Sequence, residues 1–427
     1  MLAALSTLPA WVQGIRDFQR LALVNKAVMD VTAVDIPFIT LAKNNTERKE
    51  RIFRQFLVLL MAFVMAPLHA VVFSRWMSKH VGLASKELNK TLMQLSFKEL
   101  ANDQTFQAGI KTLYAKVLEK PVPAELAQQM VGLSAEALRQ KVLKAKSLFL
   151  RLDLTTEGFF FSTIGPLKAK FGEWMMGNKQ FTGEKGLAEQ STLDKLYAQS
   201  AEKKKRLHPV LQWLDRYKTP LSMGFGMVIP FVWATLVQRA YRPTAMVGGV
   251  MRWIRTKAAH HFDYHFTHRL SWAKHIPFIS DWSMMLIVLS MHASELTVMR
   301  SKRELREYIV QRVPLDITFF LGIPAFMRWI AGSTTVDGAI QKAIQRGKPI
   351  RQAAQRSGYA YLASFVLACG AVAGSVALGN VLTRRGVKAE AGALHYQEAM
   401  LNRLFKPFNR GLVRPVLHQW VWPKEAS

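Results

Sequence analysis

The 427-residue sequence contains a single cysteine, Cys369. No intramolecular disulfide framework and no paired-cysteine metal site can form from it. Acidic residues are also scarce, with 29 Asp and Glu against 58 Lys and Arg and a formal charge of +29, a balance that favours anionic partners such as phospholipid or nucleic acid. Half the residues are hydrophobic and only 20% are charged, which excludes the composition of a disordered chain. The common catalytic and nucleotide-binding patterns are missing too: there is no GxGxxG, no GxSxG and no HExxH. The phosphate-binding loop fails narrowly, because Gly177 and Gly183 stand one residue too far apart and Glu184 precedes Lys185.

What the sequence does have is long uncharged stretches bordered by arginine and lysine. A helix of about twenty apolar residues matches the roughly 30 Å hydrocarbon core of a bilayer. Residues 55–74, 219–238 and 357–383 reach that length without Asp, Glu, Lys or Arg, and each is expected to cross. Two further stretches carry charge: Ile276–Met299 holds Asp281, His292 and Glu295, and Val313–Met327 holds Asp316 and ends at Arg328. These either cross, re-enter the face they left, or pack as buried helices; the second crosses only if Arg328 snorkels to an interface. Pro67, Pro230 and Pro324 predict kinks. Trp76, Tyr217, Tyr241, Trp329, Tyr359 and Tyr361 lie near the ends of the runs, as an interfacial aromatic belt would.

The expected fold is all-α: a polytopic helical membrane protein with three crossing helices, two further transmembrane or re-entrant helices, and a helical extramembrane domain. Residues 1–54 form an amphipathic juxtamembrane segment in which Leu8, Trp11, Ile15, Phe18 and Ala22 recur at helical spacing. After the crossing at 55–74, residues 75–218 read as a basic extramembrane domain with helices at 83–100, 104–119 and 134–152. The stretch from Gly158 to Gly186, with six glycines among aromatics, reads as a loop or shallow hairpin. A further helix starts near Ser191. Residues 219–383 form the membrane bundle, including a His-rich basic loop at 239–275, and residues 384–427 form a basic tail. The expected location is a bacterial inner membrane with 75–218 on the cytoplasmic side. Both faces of a simple serpentine would be basic, however, so charge asymmetry does not decide the orientation.

Four groups of residues are candidates for function. Asp281, His292 and Glu295 are offset by 11 and 14 residues, placing them on one helical face, and Asp316 can join this intramembrane polar stripe to make a proton or cation route. Arg300 or Arg312 pairing with Glu295 is the structural alternative. The second group is His260, His261, His265, His268 and His275. On a helix, His261, His265 and His268 share a face with Asp263 nearby, which suits a divalent metal; an aromatic basic segment meeting headgroups is the alternative. The cluster partly resembles the histidine boxes of membrane desaturases and hydroxylases. Those enzymes need several boxes, whereas here His69, His80, His208, His292, His395 and His418 are isolated in sequence.

Third, Gly370 and Gly374 form a GxxxG in the longest run, a helix-packing motif through which the chain can form a homo-oligomer. Cys369 beside it reads as a small apolar filler. Fourth, Arg139 and Lys144 on the helix at 134–152, and Lys203, Lys204, Lys205 and Arg206 ahead of the second run, are candidate contacts to anionic headgroups or simply a solvated basic face. No nucleic acid is expected, because the basic residues gather at the ends of apolar runs instead of forming a separate module. The functional expectation is a non-catalytic binding, scaffolding or solute-passage role with anionic lipid as partner and no cofactor unless the His cluster holds a metal. The rivals are a membrane-embedded metal-dependent enzyme using the His260–His268 cluster and a basic peripheral membrane or nucleic-acid-binding protein.

Overall fold

A computed structural model describes residues 8–405, except 119, 131–132, 206–208, 242–247, 255–263, 268–275 and 280. The principal helices are α1 (Ala10–Arg20), α2 (Asn45–Val81), α3 (Leu133–Met176), α4 (Gln190–Lys205), α5 (Pro209–Ala240), α6 (Asp281–Thr297), α7 (Lys302–Asp316), α8 (Ile323–Ala331), α9 (Val336–Gln345) and α10 (Ile350–Phe405). The architecture is all-helical apart from one antiparallel pair of four-residue strands, β1 (Tyr264–Thr267) and β2 (Ile276–Ile279), in the register Tyr264 to Ile279.

Among the described residues, four stretches are long and apolar enough to cross a membrane: Asn45–Val81, Arg216–Ala240, Lys302–Gln345 and Ile350–Tyr396. Three contain the uncharged runs, and the fourth contains 313–327. This fourth stretch is not straight. Gly332 adopts φ +70° and its N–H bonds the Arg328 carbonyl at 2.9 Å, a left-handed helix end that glycine reaches without strain. The apolar helix therefore stops at Ala331. In the stretch 276–299 the first residues are strand β2, followed by the 17-residue α6, which is not among the four. Phe56, Val64, Leu68 and Val72 on α2, Phe225 on α5 and Val366 on α10 are each more than half exposed, so these helices carry apolar faces that the rest of the described chain leaves uncovered.

Three of the prolines act through the turn that precedes them. A proline has no N–H, and its ring clashes with the carbonyl four residues earlier. Wider π turns at Asp30–Asp35, Met61–Met65 and Ile317–Gly322 contain the carbonyls of Ala33, Phe63 and Phe320, four residues before Pro37, Pro67 and Pro324. The wider turn gives the carbonyl facing each proline ring room away from it.

The largest departure from the sequence reading is α3. The expected loop from Gly158 is helix as far as Met176, and α3 packs along α2, α5 and α6 at the centre of the bundle. Its glycines are contact points. Gly158, Gly165 and Gly172 recur every seven residues on one face. A Cβ on Gly158 would lie 2.1 Å from the Gly226 carbonyl oxygen, and one on Gly165 would lie 2.9 Å from the Glu295 Cα. Small residues let these backbones approach, as at packed membrane helices.

The region 75–218 packs on the same helix. Its short helices, including Lys86–Leu92 and Asp103–Thr112, bury Leu92, Phe97, Phe106 and Ile110 against the first half of α3. That hydrophobic cluster continues without a break to Ala234 of α5 and Met284 of α6. On the other side α10 packs against α7, α8 and α9. The amphipathic α1 seats Val12 against Val336, Ile340 and Ala354, and its Arg16 and Arg20 bond Asp337 at 2.5 and 2.6 Å.

Candidate functional site: a buried ionic cluster

The first turns of α2 and α7 are charged at helical spacing. Glu47, Glu50, Arg51 and Arg54 occupy one face of α2, and Glu304, Glu307, Gln311 and Arg312 one face of α7. Both helices start on a side-chain cap, Asn44 accepting from the Glu47 N–H at 2.8 Å and Ser301 from the Glu304 N–H at 3.0 Å. The two faces meet, with additions from α3, α6, α10 and the loop at 182–184, and all eight of the side chains named above are buried.

Near the surface end, Lys43 reaches Glu307 at 2.5 Å and Glu47 at 3.1 Å, while Arg51 bonds Glu47 at 2.8 Å and the Phe38 carbonyl at 2.6 Å. Beside them Arg300 bridges Glu50 at 2.7 Å and Glu304 at 2.9 Å. Thr182 donates to Glu50 at 2.7 Å, and Lys168 lies 3.7 Å from both carboxylates. Arg303 pairs with Glu184 and Glu390. Burial works against the Arg300 cation, but Glu304 and Glu50 outweigh it and hold the guanidinium above its ordinary value.

Deeper in, Arg54 grips Glu295 with two bonds of 2.6 and 2.8 Å, the fork geometry that makes such pairs strong. Tyr308 donates to the same carboxylate at 2.5 Å, and its oxygen also meets His292 Nδ1. The other imidazole nitrogen, Nε2, lies 2.6 Å from Asp316, whose side chain is about a quarter exposed. Tyr308 thus hydrogen-bonds both His292 and Glu295, and Asp316 stands within ion-pair distance of His292 Nε2, which has no hydrogen-bond partner among the described residues, so that the four groups line up inward from the surface.

Tyr308, and Arg54 that grips Glu295, also line a cavity of about 40 Å³, together with Arg312, Glu307, Glu304 and Lys168 among others. A site of that volume has room for ordered water, which needs roughly 10–15 Å³. Arg312 is buried with its guanidinium 4.0 Å over the Phe38 ring, and its Nε and Nη2 have no hydrogen-bond partner among the described residues. Arg54 extends the network outward through Gln55, which donates to Asp35. Burial, together with Asp30, pushes the Asp35 carboxyl up to about 7 against the pull of Arg54, Arg312 and Gln55.

Of the residues singled out in sequence, His292, Glu295 and Asp316 come together. Asp281 does not: it starts α6, about 16 Å along the axis from His292. Glu295 pairs with Arg54, while Arg300 is engaged by Glu50 and Glu304. His265 lies in strand β1, where the helical spacing assumed for His261, His265 and His268 does not apply; His260, His261, Asp263, His268 and His275 lie outside the described residues. Arg139 is corrected from headgroup contact to internal partner, since it is buried and bonds Asp103 at 2.6 Å and the Leu100 carbonyl at 3.1 Å. Lys144 is exposed. Lys203, Lys204 and Lys205 end α4; their side chains, and Arg206 as a whole, lie outside what the structure describes. Gly370 and Gly374 face open space: a Cβ added at either would meet nothing within 4 Å from other parts of the described chain.

Arg54, Tyr308, Glu50, Glu304, Glu307 and Asp35 were missed in the sequence. Their signal is nevertheless there, in the i, i+3, i+4 alternation of charge in ERKERIFR and KRELREYIVQR. Set against known proteins, the chain matches no family model, no curated protein and no solved structure.

Proposed function

We propose that the chain is a multi-pass membrane protein and that its buried polar chain passes protons across part of the bundle. The observation that carries this reading is the sequence of contacts Asp316, His292, Tyr308, Glu295, which starts at a partly exposed carboxylate and ends beside the cavity that Tyr308 lines. Ionisable groups inside membrane helices are costly and mark proton or ion routes when they face a cavity or one another. His292 is placed for relay: one ring nitrogen faces Asp316 and the other the Tyr308 hydroxyl, so a proton taken up at Nε2 is matched by one released at Nδ1. The cavity lined by Tyr308 and Arg54 supplies the space for water to continue the path.

In this reading the uncovered apolar faces of α2, α5 and α10 meet lipid, and exposed basic residues such as Lys144 meet anionic headgroups. The open Gly370–Gly374 face is offered to a second copy. Reconstitution into liposomes holding a pH-sensitive dye tests the proposal. The protein should dissipate an imposed proton gradient, and Glu295→Gln and His292→Asn should each slow this at least tenfold. Dissipation by the unaltered protein no faster than in empty liposomes rejects it.

The dense pairing of carboxylates with arginines favours a second reading, a static clamp joining α2, α6 and α7. A clamp predicts no flux, with the same variants lowering thermal stability alone.

A further inference from the structure

Away from the ionic cluster, α2 and α3 bring three ligating side chains together. We propose that His69, Asp153 and Glu157 form a binding site for a divalent first-row transition metal inside the helical bundle. Asp153 and Glu157 are four residues apart on α3 and share a face. They lie opposite His69, which sits one turn beyond the π turn Met61–Met65. One donor atom from each of the three lies within 4.8 Å of the others. His69 Nδ1 is 3.0 Å from Asp153 Oδ1, close to the edge of a coordination shell with ligands at about 2.0–2.2 Å.

The second observation is the set of open valences. Glu157 is 1% exposed, yet its Oε2 has no hydrogen-bond partner among the described residues, and His69 Nε2 has none either. A buried carboxylate oxygen without a partner is costly, and a cation between these atoms removes that cost. Lys26 is a cation that acts on Glu157, against burial and the neighbouring Asp153 carboxylate, which both disfavour its charged form. The imidazole is held between Phe73 and Phe160, with ring centroids 6.0 and 5.9 Å away, so it reaches the site with little freedom left to lose.

The donor set selects the metal. One imidazole and two carboxylates suit borderline cations such as Mn²⁺, Fe²⁺, Co²⁺ or Zn²⁺ and disfavour the thiolate-seeking ones. Three protein donors leave at least one coordination position open, as at sites where the metal exchanges water or binds a further group. The site is separate in residues from the polar chain of the proposed proton route, and its test does not depend on flux.

Cobalt(II) is the probe, added to the detergent-purified full-length chain, with visible absorption reporting coordination. The expected result is one Co²⁺ per chain. The band should survive the triple variant His261→Asn, His265→Asn, His268→Asn, and affinity should fall at least tenfold in Glu157→Gln. Asp153→Asn gives a second measurement should Glu157→Gln fail to elute as a folded species. Absence of a stoichiometric band in the unaltered protein, or undiminished affinity in the folded Glu157→Gln or Asp153→Asn variant, overturns the proposal. A band that vanishes with the triple variant and persists in Glu157→Gln moves the metal to the histidine-rich segment and overturns it equally.

Discussion

Two buried polar regions of this protein differ in how their charges are matched. At the Arg54–Glu295 end, carboxylates are met by guanidinium or ammonium groups at 2.5–3.3 Å, often with two partners each. At the His69 pocket, two carboxylates face one imidazole, and acceptor capacity is left over. Burying a charge is expensive in both places, since desolvation rivals or exceeds the Coulomb gain. The first region meets its carboxylates internally, within a fixed set of helices, although the Arg312 guanidinium keeps two nitrogens without a hydrogen-bond partner among the described residues. The second keeps a buried carboxylate oxygen of Glu157 and an imidazole nitrogen of His69 without a partner among the described residues. The difference teaches that burial of acidic groups marks a ligand site only where acceptor atoms are left without a partner.

The comparison breaks most sharply at Arg54. Arg54→Met strands Glu295 without its main partner, and the expected loss is about 3–5 kcal/mol, as for other broken buried pairs. Thermal unfolding in detergent measures it, and Arg54→Met combined with Glu295→Met should recover much of the loss. If the double variant is no more stable than the single one, the charges are not what holds that end together.

The His69 pocket should respond with the opposite sign. In metal-free protein, Glu157→Gln removes an acid with an unpartnered oxygen while keeping its shape, so melting temperature should rise, corresponding to about 1 kcal/mol, the scale of one buried polar group relieved. The same variant should lose the stabilisation that added Co²⁺ gives to the unaltered chain.

The smallest effect is a change of slope at Asp35, on the fringe of the matched region. Its carboxyl titrates near pH 7 in the folded protein against an ordinary value of 3.8. The folded state therefore keeps a proton that the unfolded state has released, and stability falls as pH rises between those values and levels off above them. Asp35→Asn should flatten that part of the stability curve, as read from melting temperatures at pH 4, 5.5, 7 and 8.

Much of the fold was legible in the residues because hydrocarbon-length runs are a one-dimensional signal. The uncharged stretches at 55–74, 219–238 and 357–383 all lie in helices long and apolar enough to cross, and the amino-terminal segment packs through Leu8 and Ile15 of its expected stripe together with Val12, which that stripe did not include. Glycine misled. Gly158, Gly165 and Gly172 have low helix propensity, but in a crowded bundle they are the positions where α3 meets Gly226, Glu295 and Arg300. Charge misled in a similar way: Glu47 to Arg54 and Glu304 to Arg312 read as basic flanks bearing on orientation, yet their helical spacing lets two faces neutralise each other.

The order of residues was enough to determine which segments become apolar helices, because the length of an uncharged run and the spacing of its side chains are local properties. It was also enough to mark His292 and Glu295 as a pair on one face. Only the tertiary structure decided what those groups meet. His69 stands alone in the sequence, 84 residues from Asp153, and becomes part of a donor set only when α2 lies against α3. Arg54 finds Glu295 across 241 residues. Ligation and charge pairing act over a few ångströms, and distances that short between distant parts of a chain are set by how helices pack, which no local pattern records.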